Sequence, residues 1–144
     1  MNPLQKKLDD KFSEYIRTKD ADEFGIVKCY TCPEWEHWKR MDCGHFISRK
    51  YTALRWDERQ CKPQCPLCNR AKDGMNNVFK ANLIRENGEE FVESLEIDKH
   101  QTIQMRDEDY KLLIEQFTGL IAQNKLKFIS GFSQKSESRL PPSG

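Results

Sequence analysis

Two short cysteine pairs constrain this chain more than any other feature. Cys29-Tyr-Thr-Cys32 and Cys65-Pro-Leu-Cys68 are C-x2-C knuckles separated by Pro33 to Gln64. Each knuckle presents two thiolates to one ion, and zinc favours four such sulfurs at about 2.3 Å in a closed tetrahedral site. The sequence between the knuckles needs a staple of this kind. From Cys29 to Cys68 the hydrophobic periodicity is poor, aromatic and basic residues alternate, and Pro33, Gly44, Pro63 and Pro66 mark turns. Such a segment buries little apolar area, so a metal rather than a large core is expected to hold it.

The ligand reading depends on the compartment. Hydrophobic content of 37% and charged content of 33% describe a soluble protein. No apolar run approaches the roughly 18 residues that span a bilayer, and MNPLQKKLDD has neither the apolar core nor the cleavage site of a signal peptide. The expectation is an intracellular chain with no membrane association, where thiols stay reduced and short-spaced cysteines serve metals rather than disulfides. A redox use of either pair is disfavoured because no βαβ context surrounds it. Cys61 competes in principle for the same ion, but the two-residue spacing favours Cys65 and Cys68. Cys43 and Cys61 are therefore read as packing residues.

The flanks read as helices. Asn2 then Pro3 is a cap followed by a first-turn proline, and Leu4, Leu8, Phe12, Tyr15 and Ile16 share one helical face, so a helix is expected over Pro3 to Lys19. Ile26 and Val27 lead as a short strand into Cys29. After Gly74, helical spacing returns through Val78, Phe79, Leu83 and Ile84, stops near Asn87-Gly88, and resumes with Phe91, Val92 and Leu95. A longer amphipathic helix begins near Asp107. The expected organisation is one domain over residues 1–130, with an N-terminal helix (1–25), a zinc-stapled core (26–75) and a helical extension (76–130). The polar SQKSESRLPPSG end, with 131–144 as its domain-level boundary, is expected to be disordered.

Charge is uneven along the chain. Residues 39–80 carry ten basic and four acidic side chains, a local excess of +6 within a total of +1. A basic field of this kind is the usual footprint of phosphate contact. The same segment holds Asp42 and His45 between the knuckles, with Asn69 directly after the last cysteine. Joining the knuckles would bring Asn69 back against Asp42. A carboxylate and an amide oxygen, with remaining positions open to water and phosphate, suit Mg²⁺ or Mn²⁺ rather than zinc. His45 can then serve as a base without binding the ion. Phosphodiester hydrolysis requires these parts: a base, a cation and basic side chains that position the backbone. D-x-x-H alone is a weak signal, and a histidine near a zinc site is as readily a ligand or a surface residue.

Five stretches together are more specific. IRTKDAD, CYTC, DCGHFISR, LRWDER and QCPLCNRAKDG follow one another between Tyr15 and about Glu96. This order resembles the NinG/Rap recombination proteins of lambdoid phages, and the resemblance covers well over half the chain. That family is similar to the HNH, or His-Me finger, nucleases, and to phage endonuclease VII in its paired knuckles, intervening D-x-x-H and asparagine after the final cysteine. The resemblance implies an α+β fold with a small zinc-stapled ββα-metal core flanked by N- and C-terminal helices. It implies a metal-dependent endonuclease for branched DNA, such as a Holliday junction or D-loop, acting as a homodimer in the bacterial cytoplasm and leaving 5′-phosphate ends.

Carried onto this sequence, the resemblance makes His45 the general base, Asp42 and Asn69 the ligands of Mg²⁺ or Mn²⁺, and Cys29, Cys32, Cys65 and Cys68 the ligands of structural Zn²⁺. Gln60 stands near the position expected to orient the imidazole. Family members often have alanine where this chain has Cys43, and asparagine then an aliphatic residue for Gln60-Cys61, which argues against either cysteine as a zinc ligand. Arg49, Lys50, Arg55, Arg59, Arg70 and Lys72 are the candidate phosphate contacts, each also readable as surface charge, with Arg59 and Asp57 a possible structural ion pair. Trp35, Trp38 and Trp56 are read as cover for the zinc core rather than stacking platforms for bases. His37 and His100 are read as surface residues. An HNH enzyme that nicks linear or single-stranded DNA, and a non-catalytic zinc module that binds DNA, remain as alternatives.

Overall fold

A computed structural model describes residues 2–135, with side chains to residue 128. Helix α1 spans Pro3–Lys19, strands β1 and β2 span Ile26–Lys28 and Trp35–His37, and strands β3 and β4 span Asp42–His45 and Cys61–Gln64. Helices α2 (Asn76–Asn87), α3 (Glu89–Asp98) and α4 (Asp107–Lys135) complete the chain. The fold is α+β, with a ββ element beside a cysteine/histidine cluster, consistent with the core of a His-Me finger.

Helix α1 starts where the sequence indicates. The Asn2 Oδ1 accepts the Leu4 N–H at 2.8 Å, and Pro3 occupies the first turn, where no backbone donor is needed. Leu8, Phe12, Tyr15 and Ile16 are buried against Tyr110, Ile114, Phe117 and Ile121 of α4. The far end of α1 is closed by α4. Lys127 Nζ donates to the carbonyls of Thr18 and Lys19 at 2.9 and 3.0 Å, and Asn124 Nδ2 donates to the Thr18 hydroxyl at 3.0 Å. A cation on the last carbonyls of a helix also complements its dipole. The two outer helices thereby form one platform beneath the strands.

Strands β1 and β2 form a hairpin whose tip carries the first knuckle, and β3 pairs antiparallel with β4 in the register Asp42↔Gln64, Cys43↔Pro63, Gly44↔Lys62 and His45↔Cys61. Gly44 is required by the neighbouring strand. A Cβ there would lie 1.9 Å from Oε1 of Gln64, a buried side chain already held by the Thr31 hydroxyl and the Gly74 carbonyl.

The element after β4 departs from expectation. The ββα pattern places Asn69 at the start of the following helix, but Leu67–Ala71 forms a wide turn in which the Lys72 N–H reaches the Leu67 carbonyl, five residues back. Asp73, Gly74 and Met75 then all take positive φ, and α2 begins only at Asn76. Helix α4 also differs from the sequence reading. It continues to Lys135, so residues 131–135, assigned to the tail, are helical, while 136–144 lie outside the described residues.

Apolar burial is divided among small clusters. Ala21, Val27, Trp38 and Met41 surround the cysteine cluster, whereas Ile47, Leu54, Phe79, Leu83, Val92 and Leu95 join the β3–β4 loop to α2 and α3. No helix among the described residues is long and apolar enough to cross a membrane.

Candidate active site and metal centre

The four knuckle sulfurs converge. Cys29 and Cys32 come from the β1–β2 tip, Cys65 and Cys68 from the exit of β4, and all four Sγ atoms lie within 4.8 Å of one another. Backbone contacts bring the halves together: the Tyr30 N–H donates to the Pro63 carbonyl at 2.9 Å, and Asn82 Nδ2 on α2 donates to the Tyr30 carbonyl at 2.8 Å. Burial disfavours the Cys29 thiolate, but N–H donors from Cys65 and Thr31 and the Thr31 hydroxyl outweigh it and pull the thiol to about 7. Cys32 is pushed up to about 12, by burial first and then by the other sulfurs. Four thiolates in one place require a cation, and this group can hold a metal ion.

On the other side of β3 lies an open cleft of about 860 Å³. Asp42, Cys43 and His45 form one wall, Asn69 and Arg70 a second, and Asp9, Asp10 and Ser13 of α1 a third. Asn69 Nδ2 donates to Asp42 Oδ2 at 3.0 Å, so the wide turn after Cys68 does return the asparagine to the carboxylate. Arg70 forms a two-pronged pair with the same carboxylate at 2.7 and 2.8 Å, although its own side chain is 70% exposed.

His45 is fixed by a backbone oxygen. Its Nε2 lies 3.0 Å from the Arg55 carbonyl, which can only accept, so Nε2 carries the proton and Nδ1 keeps the lone pair. Burial lowers the basicity of the imidazole more than the Arg55 and Cys43 carbonyls raise it.

This arrangement changes the roles of two residues. Gln60 makes no hydrogen bond to His45. Its amide instead clamps the loop between β3 and β4, accepting from the Ile47 N–H at 2.8 Å and donating to the Leu54 carbonyl at 2.7 Å. Arg55, the next residue, touches the imidazole through its carbonyl. Its guanidinium is only 11% exposed and is held by Asp9 at 2.6 and 3.0 Å, which removes it from the candidate phosphate contacts. No side-chain pattern announces a carbonyl contact of this kind, and none pointed to Asp9, which also accepts from Trp56 Nε1.

The other basic candidates separate by position. Arg49 and Arg70 line the cleft, Lys50 and Lys72 are exposed, and Arg59 is tied to Asp57 and Asp98 away from it. Trp38 is buried beside the cysteine cluster with Arg17, Lys39 and Lys125 over its ring, and Trp56 meets Tyr110 edge-on between the outer helices. Trp35 is 45% exposed and covers neither. His100 is exposed against Tyr51, while half-buried His37 accepts the Lys39 N–H.

The family model described as Bacteriophage Lambda NinG protein matches residues 2–127, which include both knuckles and all three walls of the cleft. The chain belongs to the NinG family. Among its NinG relatives, Protein ninG of Escherichia phage 933W is 29% identical over 92 residues, covering 63% of this chain and 43% of the relative. Protein ninG of Salmonella phage P22 is 28% identical over 123 residues, covering 85% and 55%. The chain thus spans about half the length of the curated NinG proteins it matches. No solved structure matches it.

Proposed function

We propose that this protein is a metal-dependent endodeoxyribonuclease that cleaves branched recombination intermediates, Holliday junctions or D-loops, and leaves 5′-phosphate ends. The observation that carries the reading is an imidazole held by a backbone carbonyl in the same cleft as the Asp42–Asn69 pair.

The four-cysteine centre takes structural Zn²⁺. Cys32 and Cys65 Sγ lie 3.7 Å apart, and a tetrahedron with zinc–sulfur bonds of about 2.3 Å has edges of about 3.8 Å. Asp42 offers carboxylate oxygens in an open polar cleft, and Asn69, whose Nδ2 faces that carboxylate, would add its amide oxygen on rotation of the amide, a hard set that would fit Mg²⁺ or Mn²⁺ with waters retained. That ion supplies charge stabilisation to the phosphate and the leaving oxygen. His45 takes a proton from the attacking water at Nδ1, while the Arg55 carbonyl keeps the ring oriented. Arg49, Lys50, Arg70 and Lys72 position the DNA backbone, with Arg70 able to exchange its carboxylate for a phosphate.

The active form is a homodimer in the bacterial cytoplasm, since cutting a junction requires two symmetry-related sites, and residues 1–130 act as a single nuclease domain. The test is cleavage of a synthetic four-way junction, a flap, a linear duplex and a single strand in Mg²⁺. His45→Ala is expected to abolish junction cleavage while retaining zinc and DNA binding. Equal cutting by the variant overturns the role of His45, and preference for linear or single-stranded DNA overturns branch selectivity. Salt-sensitive binding without cleavage of any substrate would identify a DNA-binding module.

A further inference from the structure

Two cysteines outside the knuckles meet at the histidine. Cys43 and His45 are two residues apart on β3 and share a face, and Cys61 on β4 is the direct cross-strand partner of His45. The two Sγ atoms and a His45 ring nitrogen all lie within 4.8 Å of one another. Cys43 and His45 line the cleft, while Cys61 closes the group from behind, buried among Phe12, Tyr15, Ile16 and Ile121.

The imidazole already has the outer contact of a metal ligand. With Nε2–H given to the Arg55 carbonyl, the free lone pair is on Nδ1, as in sites where a carbonyl fixes a ligating histidine. Two thiolates and an imidazole form a soft donor set that selects Zn²⁺ and disfavours Mg²⁺ or Mn²⁺. Three protein ligands leave a fourth tetrahedral position, and Cys43 and His45 line the cleft from which it could be filled.

We propose that Cys43, His45 and Cys61 form a second soft-metal site, separate from the four-cysteine centre, whose occupation by Zn²⁺ arrests hydrolysis by engaging the lone pair His45 needs. The arrest rests on the reading of His45 as the base; the site itself does not. Binding converts two thiols to thiolates, so each ion releases two protons to solvent, and removal of the ion with two protons returned restores the free groups.

The experiment uses the full chain with its four-cysteine centre loaded, titrated with Zn²⁺ against a chromogenic chelator. Wild type is expected to hold two equivalents of Zn²⁺ in all, one beyond the loaded centre, and Cys43→Ala one in all. Co²⁺ added to the zinc-loaded protein is expected to give a thiolate-to-cobalt charge-transfer band that Cys43→Ala lacks. In Mg²⁺, the second Zn²⁺ equivalent is expected to slow wild-type junction cleavage by on the order of 10²-fold, reversibly, and to leave Cys43→Ala active. One equivalent in wild type, or two in Cys43→Ala, overturns the site. Cys43-dependent uptake in a protein that cleaves no DNA upholds the site and removes the nuclease reading. Cleavage insensitive to a bound second equivalent overturns the arrest.

Discussion

The sulfur corner, between the β1–β2 tip and the exit of β4, and the cleft beside β3 differ in nearly every physical respect. The corner is closed, lined by soft donors and joined by backbone contacts between two distant segments. The cleft is open, lined mainly by oxygen and nitrogen donors with the single sulfur of Cys43, and bordered by exposed Arg49 and Arg70. A metal in the first substitutes for an apolar core, whereas a metal in the second would add little to folding. On the proposed reading the protein separates being held together from being reactive, although Asp42 pairs with Gln64, the residue immediately before Cys65.

Breaking the corner should have the largest effect. Zinc binding to four sulfurs is worth about 10–16 kcal/mol in zinc-finger peptides, comparable to the whole stability of a domain. Cys68→Ala is expected to lose the circular-dichroism melting transition and all cleavage, and a variant that melts like wild type would collapse the distinction. Asp42→Asn should do the opposite, lowering Mg²⁺-dependent cleavage by about 10²-fold or more with the melt nearly unchanged. The pH profile sharpens the same contrast. His45 has a folded pKa below its ordinary 6.5, so its neutral, basic form persists as pH falls through 6.5. Cleavage should hold across that range and decline only below it, and an acid limb at or above 6.5 would contradict this.

Asp9→Ala comes next, because it tests whether α1 supports the cleft. The Asp9–Arg55 pair is 15% and 11% exposed, and removing the carboxylate strands a guanidinium and an indole N–H, at a cost of about 2–3 kcal/mol in thermal or urea unfolding. Burial opposes the Asp9 charge, but Arg55 and Trp56 outweigh it and hold the carboxyl below its ordinary 3.8. Wild type should keep its advantage at neutral pH and lose it as pH falls below about 4 through the folded value. The smallest effect is expected for Arg59→Ala. Its pairs with Asp57 and Asp98 are 40% exposed on the arginine side, so stability should change by less than about 0.5 kcal/mol and DNA affinity not at all.

What was legible in the sequence follows the same division. Ligand spacing is a local code, so the four knuckle cysteines could be read directly, and α1 declared its start through Asn2-Pro3. The juxtaposition of Asp42 with Asn69 followed from joining the knuckles. The support of His45 did not, because its partner is a backbone oxygen whose position depends on Gln60 clamping a loop and Asp9 anchoring a guanidinium. The return of helical spacing after Gly74 was legible and α2 does begin at Asn76, whereas the positive φ at Asp73 and Met75 that precedes it was not. Cys43 and Cys61 were read one at a time as packing residues, and only strand register brings them together.

The closure of α1 by α4 has a consequence for synthesis. The Thr18 carbonyl finds its partner in Lys127, 109 residues further along. A chain emerging from the ribosome completes both knuckles and every wall of the cleft long before that partner exists. The platform that carries Asp9, and through Arg55 the orientation of His45, is secured only when α4 arrives. On the proposed reading, a nascent polypeptide bearing a finished sulfur corner would still lack the support that orients His45 until α4 has docked.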